Sequence, residues 1–211
     1  MASSNCTIVG QDWAMNKGVL GDDFGSNAGY AGANSSTCYT YILQFKTPSF
    51  TGVAKKISIN MYVKAQVHLS ATLRYALTTS VDNISSYQNY GGQTTYPEVT
   101  KDNDPNQITY GLFELTNLDK NTHTHYTLEL DATTLSPDTA YYLVLWGPNN
   151  VSLIGVGEAE YHTVVLDYDD GLVYIDTGSG LEAYQAFVDN GTGWDLLLPH
   201  EDNGTGWVQC V

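Results

Sequence analysis

The sequence predicts an all-β protein: an antiparallel β-sandwich of the jelly-roll type, followed by a small C-terminal β-repeat. Three observations favour this fold. Short segments of strand length alternate with clusters of Gly, Asn, Asp and Pro, and helical periodicity is scarce. Tyr, Thr and Val, which favour strands, are abundant. The end of the chain repeats one short turn motif three times.

The strand candidates begin at Thr37 and are bounded by turn residues. In ISINMYVKA, every second side chain is apolar, which predicts a strand with one buried face and one exposed face. Such strands pack as two face-to-face sheets. The predicted strands are residues 37–47, 55–66, 68–79, 108–118, 125–132, 140–147, 151–157 and 161–168.

A long connection between two predicted strands, residues 81–107, is rich in tyrosine and amide side chains. Connections of this length are commonly functional or mobile. Aromatic rings stack on sugars, and amides exchange hydrogen bonds with hydroxyl groups. We therefore expect a sugar-binding site in this loop, formed by Tyr87, Asn89, Tyr90, Gln93 and Tyr96.

The C-terminal region, residues 171–211, is predicted as a separate unit after a sandwich of residues 1–170. Its motif D-x-G-x-G recurs at Asp176, Asp189 and Asp202, each thirteen residues after the last. Asp-Asn-Gly favours tight turns, and the residues between turns are enough for one strand.

We therefore expect three turn-plus-strand units forming a three-stranded meander. Such a small sheet is marginal alone, so it should pack on the sandwich, another copy or another protein. The expected packing and oligomerisation anchors are Leu181, Trp194 and Trp207.

The repeat resembles the C-terminal ends of tail, baseplate and fibre-type structural proteins of bacteriophages and prophages, which carry Y-I-D-N-G-x-x-W units. The first unit departs from the pattern at Thr177 and Leu181, and the third has Glu201 before Asp. The matching residues are Tyr174, Ile175, Asp176, Gly178, Val188, Asp189, Asn190, Gly191, Trp194, Asp202, Asn203, Gly204 and Trp207.

The body resembles, through LSPDTAYYLVLWG at residues 135–147, the jelly-roll modules of phage receptor-binding proteins and carbohydrate-binding modules. Together the resemblances imply a virion surface protein, commonly a homotrimer, that contacts other virion proteins and a host-surface glycan. The expected location is the virion, after synthesis in the bacterial cytoplasm.

Charge and termini exclude several function classes. The formal net charge is -15, and a surface this acidic repels nucleic acid and anionic lipid. The N-terminus has neither a basic start nor an apolar run, so neither a signal peptide nor a membrane insertion is expected. Three cysteines without metal-ligand spacing are expected to be reduced thiols: Cys6, Cys38 and Cys210.

No cofactor is required by the sequence, but two metal sites are open hypotheses. His123 and His125, in NTHTHY, would lie on one face of a strand, where three copies in a trimer could bind a divalent metal. Calcium is the other option, because Asp residues cluster in turns at residues 101–106 and 167–171.

We predict a non-enzymatic protein with no catalytic residues. The chain lacks G-x-S-x-G, and its cysteines have no recognisable histidine partner. One alternative is a virion adaptor or decoration protein that binds no sugar. The other is a glycan-degrading enzyme, because alternation would place Glu158 and Glu160 on one face of a strand as a carboxylate pair.

Overall fold

The protein is described here from a computed structural model. It describes residues 2–15, 24–25, 27–33, 38–65, 69–87, 99, 101–118, 122–147 and 154–169. Beyond these it describes the backbone of residues 172–176, 181–185, 187–189, 194–196, 200–202 and 207–209. Among these residues there is no α-helix, and no helix that could cross a membrane.

Two antiparallel sheets form the sandwich, as predicted. The first sheet contains β1 (Ala2–Asn5), β5 (Val53–Ala65), β8 (Thr124–Asp131), β10 (Ile154–Val156) and β11 (Thr163–Asp169). The second contains β2 (Thr7–Met15), β4 (Cys38–Lys46), β6 (Leu69–Thr78), β7 (Gln107–Leu118) and β9 (Ala140–Trp146). A corner strand, β3 (Gly29–Ala33), pairs with β10 of the first sheet and β4 of the second.

The main core lies between the two sheets and follows the alternation of the sequence. On β5, Ile57, Ile59, Met61 and Val63 are fully buried. They join apolar side chains from β4, β6, β7 and β9 in one cluster. Burying these side chains is the dominant favourable contribution to folding of the sandwich.

The outer face of the second sheet carries a smaller core of its own. Ile42, Ala76, Val144 and Trp146 point away from the main core and are nonetheless buried. They are covered by residues of the long connection, including Tyr87 at the end of a short 3₁₀ turn (Ile84–Tyr87). The long loop therefore closes an apolar sheet face.

Three strands precede the region where the sequence predicted the first one. β1 pairs with β11, β2 with β4, and β3 joins the sheets. The strand pattern of β2 is obscured because its register with β4 shifts between Ile8 and Gly10. A bulge of this kind displaces the alternation of buried and exposed side chains. β3, with sequence GYAGA, is short and glycine-rich.

The C-terminal repeats are three separate hairpins, which corrects the predicted meander. They are β12 (Leu172–Asp176) with β13 (Leu181–Gln185), β14 (Phe187–Asp189) with β15 (Trp194–Leu196), and β16 (His200–Asp202) with β17 (Trp207–Gln209). The repeat unit is thus strand, turn and strand, because each turn joins two strands of its own.

All three hairpins share one register, in which the motif Asp pairs with the residue that opens the second strand. These pairs are Asp176 with Leu181, Asp189 with Trp194, and Asp202 with Trp207. The side chains of Leu181, Trp194 and Trp207 lie outside the described residues, so their packing and oligomerisation role stays a prediction. The division at residues 170 and 171 also stays a prediction.

Candidate binding surface

Tyr87, predicted to bind sugar, is instead a core residue. Its side chain is 1% exposed and its ring packs edge-on against Trp146, with centroids 4.8 Å apart. Its hydroxyl donates to Asp104 Oδ2 at 2.7 Å and accepts from Gln107 Nε2 at 3.1 Å. Burial raises the pKa of Tyr87 well above its usual value. The prediction for Tyr87 is wrong, because no ring face is left for a sugar.

The other predicted loop residues, Asn89, Tyr90, Gln93 and Tyr96, lie outside the described residues. Their role in binding therefore stays a prediction.

Asp104 lies in one of the two turns considered for calcium. Its hydrogen bonds join this part of the long loop to the second sheet. It is fully buried and accepts hydrogen bonds from Thr78 Oγ1 at 3.2 Å, Asn83 Nδ2 at 3.2 Å and the Asn106 N–H at 3.0 Å. In the other turn, Asp167 accepts from Ser3 and lies 3.8 Å from the Lys56 ammonium. These two carboxylates thus have partners within the protein, and calcium binding at either turn stays a prediction.

His123 and His125 both pack against one tyrosine. Each imidazole centroid lies 4.7 Å from the ring centroid of Tyr62, and His125 is the register partner of Tyr62. Burial lowers the pKa of His123, and the nearby charge of Lys64 lowers it further. Within the described ranges, no three His, Cys, Asp or Glu side chains could hold a metal together. A metal shared between copies stays a prediction.

A group of aromatic residues lies where the corner strand β3 meets β2 and β4 of the second sheet. Trp13, Tyr30 and Tyr39 form a triangle with centroid distances of 5.4–5.5 Å. Trp13 is 36% exposed and Tyr30 is 37% exposed. Gly29 makes room for this packing, because a Cβ there would lie 2.9 Å from Trp13 Cδ1.

A second aromatic group surrounds Tyr62 on the outer face of the first sheet. Besides the two histidines, Tyr161 lies with its ring centroid 5.3 Å from that of Tyr62, and it is 49% exposed. Its hydrogen bond to the Glu160 carboxylate raises the pKa of Tyr161 above its usual value.

One cross-strand row links the two groups. Tyr30 pairs with Gly155, and Gly155 pairs with Lys64 of β5, two residues from Tyr62. Directly paired residues share a face, so Tyr30 and Lys64 flank a position without a side chain. We call the whole set the aromatic strip: Trp13, Tyr30, Tyr39, Tyr62, His123, His125 and Tyr161.

Glu158 and Glu160 are not on one strand face, which corrects the prediction. Glu158 precedes a short 3₁₀ turn (Ala159–Tyr161), and Glu160 lies inside it. Both side chains are exposed. They border the aromatic strip beside Tyr161.

Beneath the strip lies a buried polar network. His162, only 3% exposed, accepts the Tyr62 N–H at Nδ1 over 3.1 Å, and its Nε2 is 3.1 Å from Gln11 Oε1. Gln11 also accepts from the Tyr41 hydroxyl and donates to the Gly157 carbonyl at 3.0 Å. Burial lowers the pKa of His162 to about 4. The imidazole is therefore neutral near pH 7.

A cavity of about 480 Å³ opens where the chain crosses from β1 to β2, beside the 3₁₀ turn of Glu160. Its walls include Ile8, Phe24 and Val164, and Val9 at the register shift is exposed. Burial raises the pKa of the Cys6 thiol in its wall to about 12, so this thiol stays protonated at neutral pH.

The aromatic strip was not predicted from the sequence, for an identifiable reason. Trp13 and Tyr30 lie on strands that were not predicted, and Tyr62 was recognised only as the exposed face of β5. The available signals in the sequence were the exposed position of Tyr62 and the H-x-H pair. Only the pairing of β5 with β8 shows that these residues form one cluster.

No protein-family model matches the sequence, and neither does any curated protein. Among solved structures, the chain is similar to the CBM1 module of BiXyn10A, with 10% identity, 62% of this chain and 73% of that chain covered, and a TM-score of 0.31. It is similar to the CBM22-1 xylan-binding domain of Paenibacillus barcinonensis Xyn10C, with 10% identity, 80% and 99% covered, and a TM-score of 0.33. It is also similar to the enzymatically active domain of bacteriophage CBA120 tailspike protein 4, with 11% identity, 78% of this chain and 20% of that chain covered, and a TM-score of 0.36.

Proposed function

We propose that this protein is a non-enzymatic surface component of a phage or prophage virion that binds a host-surface glycan through the aromatic strip. The observation that carries the binding role is the strip itself. Its exposed rings Trp13 and Tyr30 lie on paired strands and Tyr161 lies in the adjoining 3₁₀ turn. Tyr30 and Lys64 flank a residue without a side chain. The virion role rests on the resemblance of the C-terminal repeats.

Physical chemistry favours a sugar as the occupant of the strip. Aromatic rings present apolar faces that stack on the C–H faces of sugar rings, while hydroxyl and charged groups nearby fix the orientation. Here the polar groups are Lys64, Glu158 and Glu160. The net charge of -15 disfavours a polyanion, so the expected glycan is neutral or carries few negative charges.

Most rings of the strip lie on strands, which makes the strip suitable for recognition. β3, β4 and β5 contribute buried side chains to the main core, so Tyr30, Tyr39 and Tyr62 keep their spacing when no ligand is bound. A preorganised site loses little conformational entropy on binding. The C-terminal hairpins would join the sandwich to other copies, in a homotrimer, or to other virion proteins.

A glycan array carrying bacterial cell-wall polysaccharides tests the proposal. The protein should bind a subset of the glycans, and Trp13→Ala should remove most of that signal because it takes away an exposed ring that contacts both other rings of the triangle. Leu112→Ala is the matched control, since Leu112 is an exposed apolar residue on β7 (56% exposed). Equal binding by the protein and the Trp13→Ala variant would refute the strip as the site.

The same glycans, incubated with the protein, test the non-enzymatic part. We expect no release of reducing ends. Release that is lost in Glu160→Gln would instead favour the glycan-degrading alternative.

A further inference from the structure

The strongest unassigned feature is His162, which the proposed binding chemistry does not use. It follows the 3₁₀ turn that carries Tyr161 and precedes β11. Its ring is buried beneath the aromatic strip and packs edge-on to Tyr41, with centroids 6.5 Å apart. Both of its nitrogens are engaged.

The hydrogen bonds fix which nitrogen of His162 carries the proton. A backbone N–H can only donate, so Nδ1, which faces the Tyr62 N–H, must be the unprotonated acceptor. The proton therefore lies on Nε2 and is donated to Gln11 Oε1. The orientation of Gln11 agrees, because its Nε2 faces two carbonyls, those of Asn27 and Gly157.

The hydrogen-bond network of His162 and Gln11 includes residues in or next to the segments that carry four rings of the strip: Trp13, Tyr30, Tyr62 and Tyr161. Gln11 lies two residues before Trp13, and Asn27 lies three residues before Tyr30. Tyr62 is bonded directly through its N–H, and Tyr161 adjoins His162 in the chain. Gly157 also donates its N–H to the Tyr62 carbonyl at 2.7 Å.

We propose that His162 is a positioning residue for the aromatic strip: its neutral imidazole holds the two aromatic groups in register, and its protonation releases Tyr62 and abolishes glycan binding. A doubly protonated ring has no acceptor for the Tyr62 N–H, so that bond must break. The effect on binding rests on the proposed function. The coupling of the His162 ring to the strip does not depend on the proposed function.

The surroundings of His162 favour its neutral form. Tyr41 of β4 and Cys6 are uncharged at neutral pH. The charges of His125, on β8, and of His123, just before β8, lower the pKa of His162 further. Glu160 is the nearest carboxylate along the chain; it is exposed and forms a hydrogen bond with Tyr161. The positive charge of Lys64 acts on His123. Burial is the largest influence and lowers the pKa of His162 to about 4.

Two substitutions separate positioning from packing. In His162→Asn the side-chain oxygen replaces Nδ1 and still accepts the Tyr62 N–H, but it cannot be protonated in this pH range. In His162→Leu no acceptor remains. We expect His162→Asn to keep most of the binding and His162→Leu to lose it at all pH values.

The glycan array, read at pH 7, 4 and 3, gives the first readout. Because the pKa of His162 is about 4, the affinity for the glycan should fall to about half at pH 4 and to about a tenth at pH 3. His162→Asn should stay level, with circular dichroism confirming that each protein is folded. His200→Asn makes the same change in a C-terminal hairpin and should behave like the unchanged protein.

A titration followed by NMR, without glycan, gives the second readout. The Tyr62 amide and the Trp13 indole N–H should shift with the same midpoint as the His162 ring, and these shifts should vanish in His162→Asn. The inference would be overturned if the Tyr62 amide and Trp13 indole resonances did not shift as His162 titrates. It would also be overturned if glycan binding by His162→Asn were lost in acid. Absence of any glycan binding at pH 7 would refute the proposed function, and the NMR titration would still decide the coupling.

Discussion

Two aromatic groups of the molecule differ in how their residues are used. On the second sheet, Tyr87 and Trp146 form a small core, closed by the long loop and held by Asp104. In the aromatic strip, which spans the first sheet, the corner strand and the adjoining ends of β2 and β4, Trp13, Tyr30 and Tyr161 keep more than a third of their surface exposed. The first group is closed off by the chain above it, whereas the strip presents rings that can stack on a ligand.

What lies beneath each ring accounts for this difference. The second sheet presents buried apolar residues outward, such as Ile42 and Val144, and such a face must be covered. Buried and part-exposed residues alternate along β5 from Ile57 to Ala65, so polar residues such as Ser58 and Lys64 face outward and need no cover. Tyr87, which packs on an apolar face, is therefore part of a core, whereas Tyr62 lies on a polar face and is a candidate ligand-binding residue.

Acidification should have the largest effect, and it should act on the strip side. The pKa of His162 is about 4 in the folded protein, below the ordinary 6.5 of an unfolded histidine. The unfolded chain thus binds more protons between these values, so stability is complete above pH 6.5 and falls as the pH drops to 4. The loss from this residue should be about 3 kcal/mol.

Urea unfolding at a series of pH values measures this loss. His162→Asn should flatten that part of the profile. An unchanged slope in the variant would mean that another group is responsible.

A smaller effect is expected on the loop side from Tyr87→Phe. The change removes the hydroxyl that donates to Asp104 and accepts from Gln107, while the ring remains. Losing two buried hydrogen bonds, one of them to a carboxylate, should lower the free energy of unfolding by about 2 kcal/mol. Tyr110→Phe is the matched control, because Tyr110 is exposed (45%) and should change stability little. Equal losses in the two variants would show that the loop is not held through Tyr87.

Much of the fold follows from the sequence. The alternation along β5, the turn residues that bound β4 to β9, and the repeat spacing predicted elements that the structure contains. The N-terminal strands were missed because the bulge in β2 and the glycines of β3 remove the local signal. The hairpins were misjudged because spacing alone does not tell whether a turn joins strands of one unit or of two.

The candidate site was much harder to predict than the fold. Tyr62 meets His123 and His125 only through the pairing of β5 with β8, and Tyr30 meets Lys64 only across β10. Such non-local contacts depend on register, which the sequence does not state. Whether Tyr87 is buried or exposed likewise depends on which sheet face it packs against.

Calorimetric titration of one glycan that binds on the array tests the central claim most directly. Trp13→Ala, on the strip, should weaken binding by about tenfold or more, which corresponds to about 1.4 kcal/mol. Tyr110→Ala, at an exposed tyrosine of β7 outside the strip, should bind within about twofold of the unchanged protein, a difference of about 0.4 kcal/mol. Full binding by Trp13→Ala would contradict the account.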